Sequence, residues 1–217
     1  MSLGIIRILS IALGLLVAIT IHEFSHAFVA RRLGDPTAER MGRLSLNPLV
    51  HLDPLGTLMM ALTAITGFGI GWGKPTPVSS WNLRPGRRVG MAMVAAGGPL
   101  SNFVVALLLT TALRLVPFWP VAVAQVLVGI AVLNLSLAAF NVLPLPMLDG
   151  FHILMGVITS IRARWAYGLA YQLERIEPQG PMVLLILILA GYVFRFNFLS
   201  LLTFPIFRFL VSIVGLG

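Results

Sequence analysis

Apolar residues fill positions 4–30 almost without a break, and again 91–115 and 121–143. At 1.5 Å per helical residue, each run is long enough to cross roughly 30 Å of hydrocarbon. A fourth stretch, 55–72, is shorter and leads through "TGFGIGWGKPTPV", where Gly and Pro break a helix. The tail, 181–214, is apolar but interrupted by Arg195, Asn197, Pro205 and Arg208. It reads as two short spans, or one span and an interfacial helix. Alternating stretches such as "GRLSL" (42–46) and "KPTPV" (74–78) predict small strands in the loop over 31–90. The expected fold is an all-α polytopic membrane helix bundle of about 5–6 membrane segments, carrying those short β-strands in one loop. Without an internal repeat, residues 1–217 are expected to form a single membrane-embedded domain.

Composition supports the membrane reading. Of 217 residues 58% are hydrophobic and 10% charged, against about 25% charged in a soluble domain. The net charge of +8 is clustered beside the apolar runs. Arg31, Arg32, Arg40 and Arg43 follow the first; Lys74, Arg84, Arg87 and Arg88 precede the second. Basic residues in that position put both clusters in the cytoplasm, so 55–72 begins and ends on one side and is expected to be re-entrant. The next run leads outward, turns at "PFWP" (117–120), and 121–143 returns. No basic face on a soluble module is visible, so nucleic acid is not an expected partner. The N-terminal run continues without a small-residue cleavage site, so it is not read as a signal peptide.

Against this background one stretch is out of place. "AITIHEFSHAFVARR" (18–32) sets His22, Glu23 and His26 within an apolar run. Residues four apart share a helical face, so His22 and His26 can offer ring nitrogens to one ion. Glu23 projects beside them, within reach of a proton on a bound water. H-E-x-x-H is a zinc pattern for that reason. With four His and four Glu among 217 residues, chance yields it roughly once in a thousand such chains. The bland alternative, polar helix residues satisfied by neighbours, must carry three ionisable groups within five residues of a bilayer span.

A zinc site of this kind needs a third protein ligand and an open position. There is no cysteine, which excludes thiolate zinc, Fe–S clusters and disulfides. Among the other acids Asp149 stands out, in "NVLPLPMLDGFH" (141–152), where Pro144 and Pro146 end the third span. Taken alone, Asp149 reads equally as a ligand or as a turn or N-cap residue before Gly150.

"HEFSH" on one helix, "AAGGPLSN" (95–102) on a second and "NVLPLPMLDG" on a third resemble, in their order, the site-2 protease family of intramembrane zinc metalloproteases. The likeness is to its short bacterial and archaeal members without a PDZ domain, with "GWGKPTPV" between the motifs. It implies one zinc ion per chain held by His22, His26 and Asp149, with Glu23 as the catalytic glutamate. Asn141 matches the asparagine thought to hold the substrate carbonyl or oxyanion. Gly97, Gly98, Pro99 and Asn102 match a helix packed against the site, the doubled Gly being a small departure from the usual pattern. The implied core covers about 4–155, with C-terminal membrane segments over 181–214. The implied substrate is the transmembrane helix of another protein, opened locally and held by an exposed strand in "GRLSL" or "GWGKPTPV". The expected place is the cell membrane, with the active site toward the cytoplasmic side.

Two histidines remain. His152 follows Asp149 by three residues and could reach the metal, but is expected rather at the polar interface or behind the ligands; His51 is expected in the loop near the mouth of the site. Two other function classes deserve weighing. A proton- or metal-coupled transporter would spread ionisable residues along a path, whereas these cluster at one depth. A non-catalytic scaffold would have no need of Glu23.

Overall fold

The computed structural model describes residues 3–66, 71–116 and 118–216. In lipid a backbone finds hydrogen-bond partners only within itself, so apolar runs become helices. The three runs form α1 (Leu3–Arg32), α4 (Arg87–Leu115) and α5 (Val121–Asn141). Between the first two lie α2 (Thr37–Arg40) and α3 (Pro54–Thr66). After them come α6 (Asp149–Ser160), α7 (Arg164–Ile176), α8 (Gly180–Val193) and α9 (Phe198–Val214).

Among the described residues four helical stretches are long and apolar enough to cross a membrane: Ile6–Arg32, Arg87–Leu115, Val121–Asn141 and Arg164–Val193. The fourth was not expected as one piece. The polar stretch before residue 176 and the apolar tail after 180 join through a single 3-10 turn, Glu177–Gln179. The rest of the tail is α9, a shorter apolar helix, so among the described residues four candidate spans stand against the expected count of about 5–6 membrane segments.

Side-chain contacts fix the helix directions. His26 meets Val94 and His22 meets Asn102, so α1 and α4 run antiparallel. Gly129 lies against Ser10 and Gly14 against Leu133, so α5 runs parallel to α1. The C-terminal ends of α1 and α5 and the N-terminal end of α4 therefore point to one end of the bundle, and α6 runs back along α4, from Asp149 beside His22 and His26 to Gly156 against Ala92. The described residues that directly follow α1 and precede α4 lie at that same end, the Arg84 N–H bonding the Leu33 carbonyl at 2.9 Å. α1 stops there because Gly34 takes the left-handed conformation (φ 111°), and the Asp35 N–H closes back on the Ala30 carbonyl at 2.9 Å.

The expected strands do not form. Among the described residues "GRLSL" is turn and bend and "KPTPV" is extended without a ladder, leaving one isolated antiparallel bridge, Leu52 to Gly73. The cause is lost or diverted donors. Pro75 and Pro77 have no N–H, the Thr76 N–H goes to the Glu23 carboxylate, and Arg43 turns inward to donate to the Lys74 carbonyl.

α3 begins behind Asp53, whose side chain accepts the Gly56 N–H at 2.7 Å. Its 13 residues span about 20 Å, too short to cross. The chain comes back beside its own start, with Gly71 against Met60, Trp72 against Gly56 and Gly73 bridged to Leu52. Residues 67–70, within the segment expected to be re-entrant, lie outside the described residues, as does Pro117 of the "PFWP" turn.

The later helices pack outside this core. α7 sets Ala166 and Ala170 on Phe151 and Met155 of α6. Arg88 clamps it to α4 through two bonds to Glu174, 2.7 and 2.8 Å. Val214 of α9 packs on Ala106, Ala131 and Leu135.

Candidate active site

Between α1, α4, the C-terminal end of α5 and the start of α6, a cavity of about 820 Å³ opens, lined by His22, Glu23, His26, Asn141, Asp149 and His152 among mostly apolar residues. One nitrogen each of His22 and His26 and one oxygen of Asp149 lie within 4.8 Å of one another. His22 Nε2 is 3.1 Å from Asp149 Oδ2, and His26 Nε2 is 3.4 Å from Asp149 Oδ1. Both imidazoles are more than nine-tenths buried.

Each imidazole is held from behind. His26 Nδ1 lies 2.8 Å from the Val94 carbonyl, which can only accept, so Nδ1 carries the proton. His22 Nδ1 lies 2.7 Å from Asn102 Oδ1 and donates to it. In the neutral rings both Nε2 atoms therefore present lone pairs toward a carboxylate. Asp149 Oδ2 is buried and accepts no hydrogen bond. Three electron-pair donors facing one another in a low-dielectric site are an arrangement that a cation between them satisfies. Two imidazoles, one carboxylate and an open side facing a cavity fit the donor set of a catalytic zinc site.

The backbone leaves room for this. A Cβ on Gly98 would lie 2.6 Å from His22 Cε1 and from His26 Nε2, so α4 can approach α1 only with Gly at that position. Pro99 lacks the N–H that would otherwise bond the Ala95 carbonyl in the α4 ladder. Asp149 opens α6, where the helix dipole favours a negative charge. The turn before it includes Met147 at φ 80°, and a Cβ on Gly150 would lie 2.1 Å from the Val142 carbonyl. That contact explains the Gly after Asp149.

Glu23 stays out of the trio. Its Oε2 accepts from the Thr76 N–H at 2.8 Å and from Thr76 Oγ1 at 2.7 Å. Thr76 stands between two prolines, and the preceding Lys74 is tied on both sides, its N–H to the His51 carbonyl at 2.8 Å and its carbonyl to Arg43. Asn141 donates to the Leu137 carbonyl at 3.0 Å, leaving its second amide N–H for the cavity it lines.

His152 lines the cavity with Nε2 3.8 Å from Glu177 Oε1, and it is not one of the three converging donors. His51 is fully buried beneath the 71–76 segment, with Nε2 donating to the Ser45 carbonyl at 2.7 Å. Arg43, expected in the cytoplasm, is also buried. Burial draws its guanidinium below the ordinary value, against the pull of the Glu23 carboxylate.

Just beyond α1, Asp35 is fully buried and accepts from the Thr37 N–H and hydroxyl, the Ser79 N–H at 2.7 Å and Asn82 Nδ2 at 3.0 Å. Burial alone would raise its carboxyl, but the four donors more than reverse this and hold it below the usual value. Sequence reasoning missed Asn134, Thr76 and Asp35, and it gave Asn102 no contact with His22. The one available signal was Asn134, an amide in an otherwise apolar span.

Residues 117–188, which include Asn141 and Asp149, match Peptidase family M50. The chain is 34% identical over 191 residues to "Putative zinc metalloprotease YwhC" of Bacillus subtilis, covering 82% of this chain and 84% of that one. It is 37% identical over 141 residues to "Putative zinc metalloprotease Rip2" of Mycobacterium tuberculosis, covering 64% of this chain and 53% of the relative. No solved structure matches.

Proposed function

The chain belongs to peptidase family M50, the site-2 protease family, and on that premise we propose that it is an intramembrane zinc metalloprotease cutting transmembrane segments of other membrane proteins. In this reading His22, His26 and Asp149 hold one zinc ion per chain, and residues 1–217 work as one membrane-embedded domain. The observation that carries it is the convergence of three buried donors whose two imidazoles are both tied at Nδ1.

A bound zinc supplies Lewis acidity, which makes water nucleophilic at neutral pH and polarises a carbonyl. Glu23 takes a proton from water and passes it to the leaving amine. Thr76 holds one carboxylate oxygen and leaves Oε1 for that traffic. The free N–H of Asn141 donates to the charge that develops on the scissile carbonyl oxygen.

A helical substrate hides its carbonyls in its own hydrogen bonds, so it must open locally before it can be cut. Gly73 offers the opened strand a place. Its bridge to Leu52 is made by flanking groups, the Lys74 N–H bonding the His51 carbonyl. Its own N–H and C=O therefore point to the other side, and Gly73 lines the cavity. In this reading the same end of the bundle faces the cytoplasm of a cell membrane, which the basic clusters around 31–43 and 74–88 support.

The test is incubation of the detergent-purified protein with a library of single-span helices, with and without a chelator. Cleavage of some members, abolished by chelation and restored by zinc, is the expected result. Cleavage indifferent to the chelator, or none at all, would refute the reading.

A further inference from the structure

Asn134 sits in the middle of α5 after the uninterrupted apolar run "VLVGIAVL" (126–133), and no solvent reaches it. An amide in such a place is costly unless its donors and acceptor are used. Here they are. Asn134 Nδ2 donates to the Ile130 carbonyl at 2.9 Å, and Asn134 Oδ1 accepts from Asn102 Nδ2 at 2.8 Å. Asn102, equally buried, also donates from Nδ2 to the Ala18 carbonyl at 2.9 Å, and its Oδ1 faces His22 Nδ1 at 2.7 Å.

The chain of bonds has a direction, set by its ends. Ile130 and Ala18 contribute carbonyls, which only accept, so each amide must turn its nitrogen toward them. Asn134 then shows its oxygen to Asn102, and Asn102 shows its oxygen to His22. Reversing either amide would set oxygen against oxygen or nitrogen against nitrogen in a dry interior. His22 is left with one choice, a proton on Nδ1 and a lone pair on Nε2.

We infer that Asn102 and Asn134 are positioning residues, a one-way relay through which α4 and α5 hold His22 in its metal-binding tautomer. The inference rests on the proposed role of His22 as a ligand. It gives the two imidazoles different supports. His26 is held by the Val94 carbonyl alone, whereas His22 depends on two amides from two helices. It also connects His22 to α5, the helix that ends in Asn141 and leads to Asp149.

Zinc affinity of the full purified chain, measured by competition with a chromogenic chelator, tests the relay without any substrate. The imidazole ¹⁵N signals of the metal-free protein, assigned by their loss in His22→Ala and His26→Ala, read the tautomers directly. Wild type should show His22 protonated at Nδ1. Asn102→Leu should weaken zinc about a hundredfold and Asn134→Leu about tenfold, spanning the usual range for groups behind a ligand. Both should give His22 mixed tautomers and leave His26 unchanged.

Should Asn134→Leu not fold, Asn134→Ser serves instead. Its hydroxyl can donate to the Ile130 carbonyl, as Ser136 does to Val132 at 2.8 Å, but is too short to reach Asn102. Asn134 variants that bind zinc within about twofold of wild type, with His22 still on Nδ1, overturn the relay even if they melt earlier. Failure of the underlying reading looks different: His22→Ala would then bind zinc as wild type does.

Discussion

The interior of the bundle and the 33–86 connection both deliver polar groups to the same cavity, but they hold them by different means. In the bundle, His22 and His26 are fixed by the hydrogen bonds they donate to α4 and by a contact at Gly98 that leaves no room for a side chain. In the connection, Thr76 is fixed by chain chemistry: prolines on either side, and backbone groups of Lys74 taken by His51 and Arg43. The first arrangement stores its precision in packing, the second in the lack of alternatives for an extended segment. Interiors transmit small volume changes, whereas a pinned loop loses function through one bond at a time.

Glu23 belongs to both regions, carried by α1 and held by the loop, so changing it should have the largest effect. Glu23→Gln keeps the shape and loses the base. Cleavage should fall at least about a hundredfold, while zinc content and melting temperature stay near wild type. Lost zinc would mean that Glu23 is structural.

Gly98→Ala tests the bundle. The added methyl meets both imidazoles at 2.6 Å and cannot be relieved by a flexible chain end. Zinc affinity in a chelator competition should drop at least about tenfold, comparable to losing a group that orients a ligand. Unchanged affinity would show that α4 can retreat without cost, and the contrast with the loop would disappear.

Thr76→Val tests the loop. It removes the hydroxyl donor and keeps the backbone N–H, so kcat should fall about tenfold, the scale of one hydrogen bond to a charged group. Zinc affinity and KM should stay put, and Thr76→Ser should restore most of the rate. A change in KM alone would recast Thr76 as a substrate contact.

The bundle motifs were legible from the sequence because their chemistry is local. Two histidines four apart on a helix share a face wherever the helix lies. Asp149 was half legible: its own surroundings suit a turn residue as well as a ligand, and only the resemblance favoured metal. Partners distant in sequence were not legible. Asn102 meets His22 across 80 residues, Asn134 meets Asn102 across 32, and Thr76 meets Glu23 across 53. No period or spacing encodes such pairs. The expected strands failed for a related reason: "KPTPV" alternates like a strand, but what its donors bind is decided by α1, His51 and Arg43. The joined helical run Arg164–Val193 was missed because the polar face of α7 masks its continuity with α8.

The smallest effect should come from acid at the edge of the connection. The Asp35 carboxyl is held below its ordinary value, so its stabilisation is fully present above the unfolded value near 3.9 and is lost as pH falls below it. Between about pH 5 and 3, melting temperature should fall more steeply in wild type than in Asp35→Asn. Parallel curves would mean that Asp35 does not anchor the loop.

The central claim is that two imidazoles and one carboxylate from three separate parts of the chain hold one zinc. Zinc-edge X-ray absorption on the purified wild type and on Asp149→Ala reads that set directly. Wild type should give two imidazole nitrogens and a carboxylate oxygen at about 2.0–2.2 Å with no sulfur. Asp149→Ala should lose the carboxylate and most of its zinc. An identical spectrum from the Asp149→Ala protein at full occupancy would contradict the account.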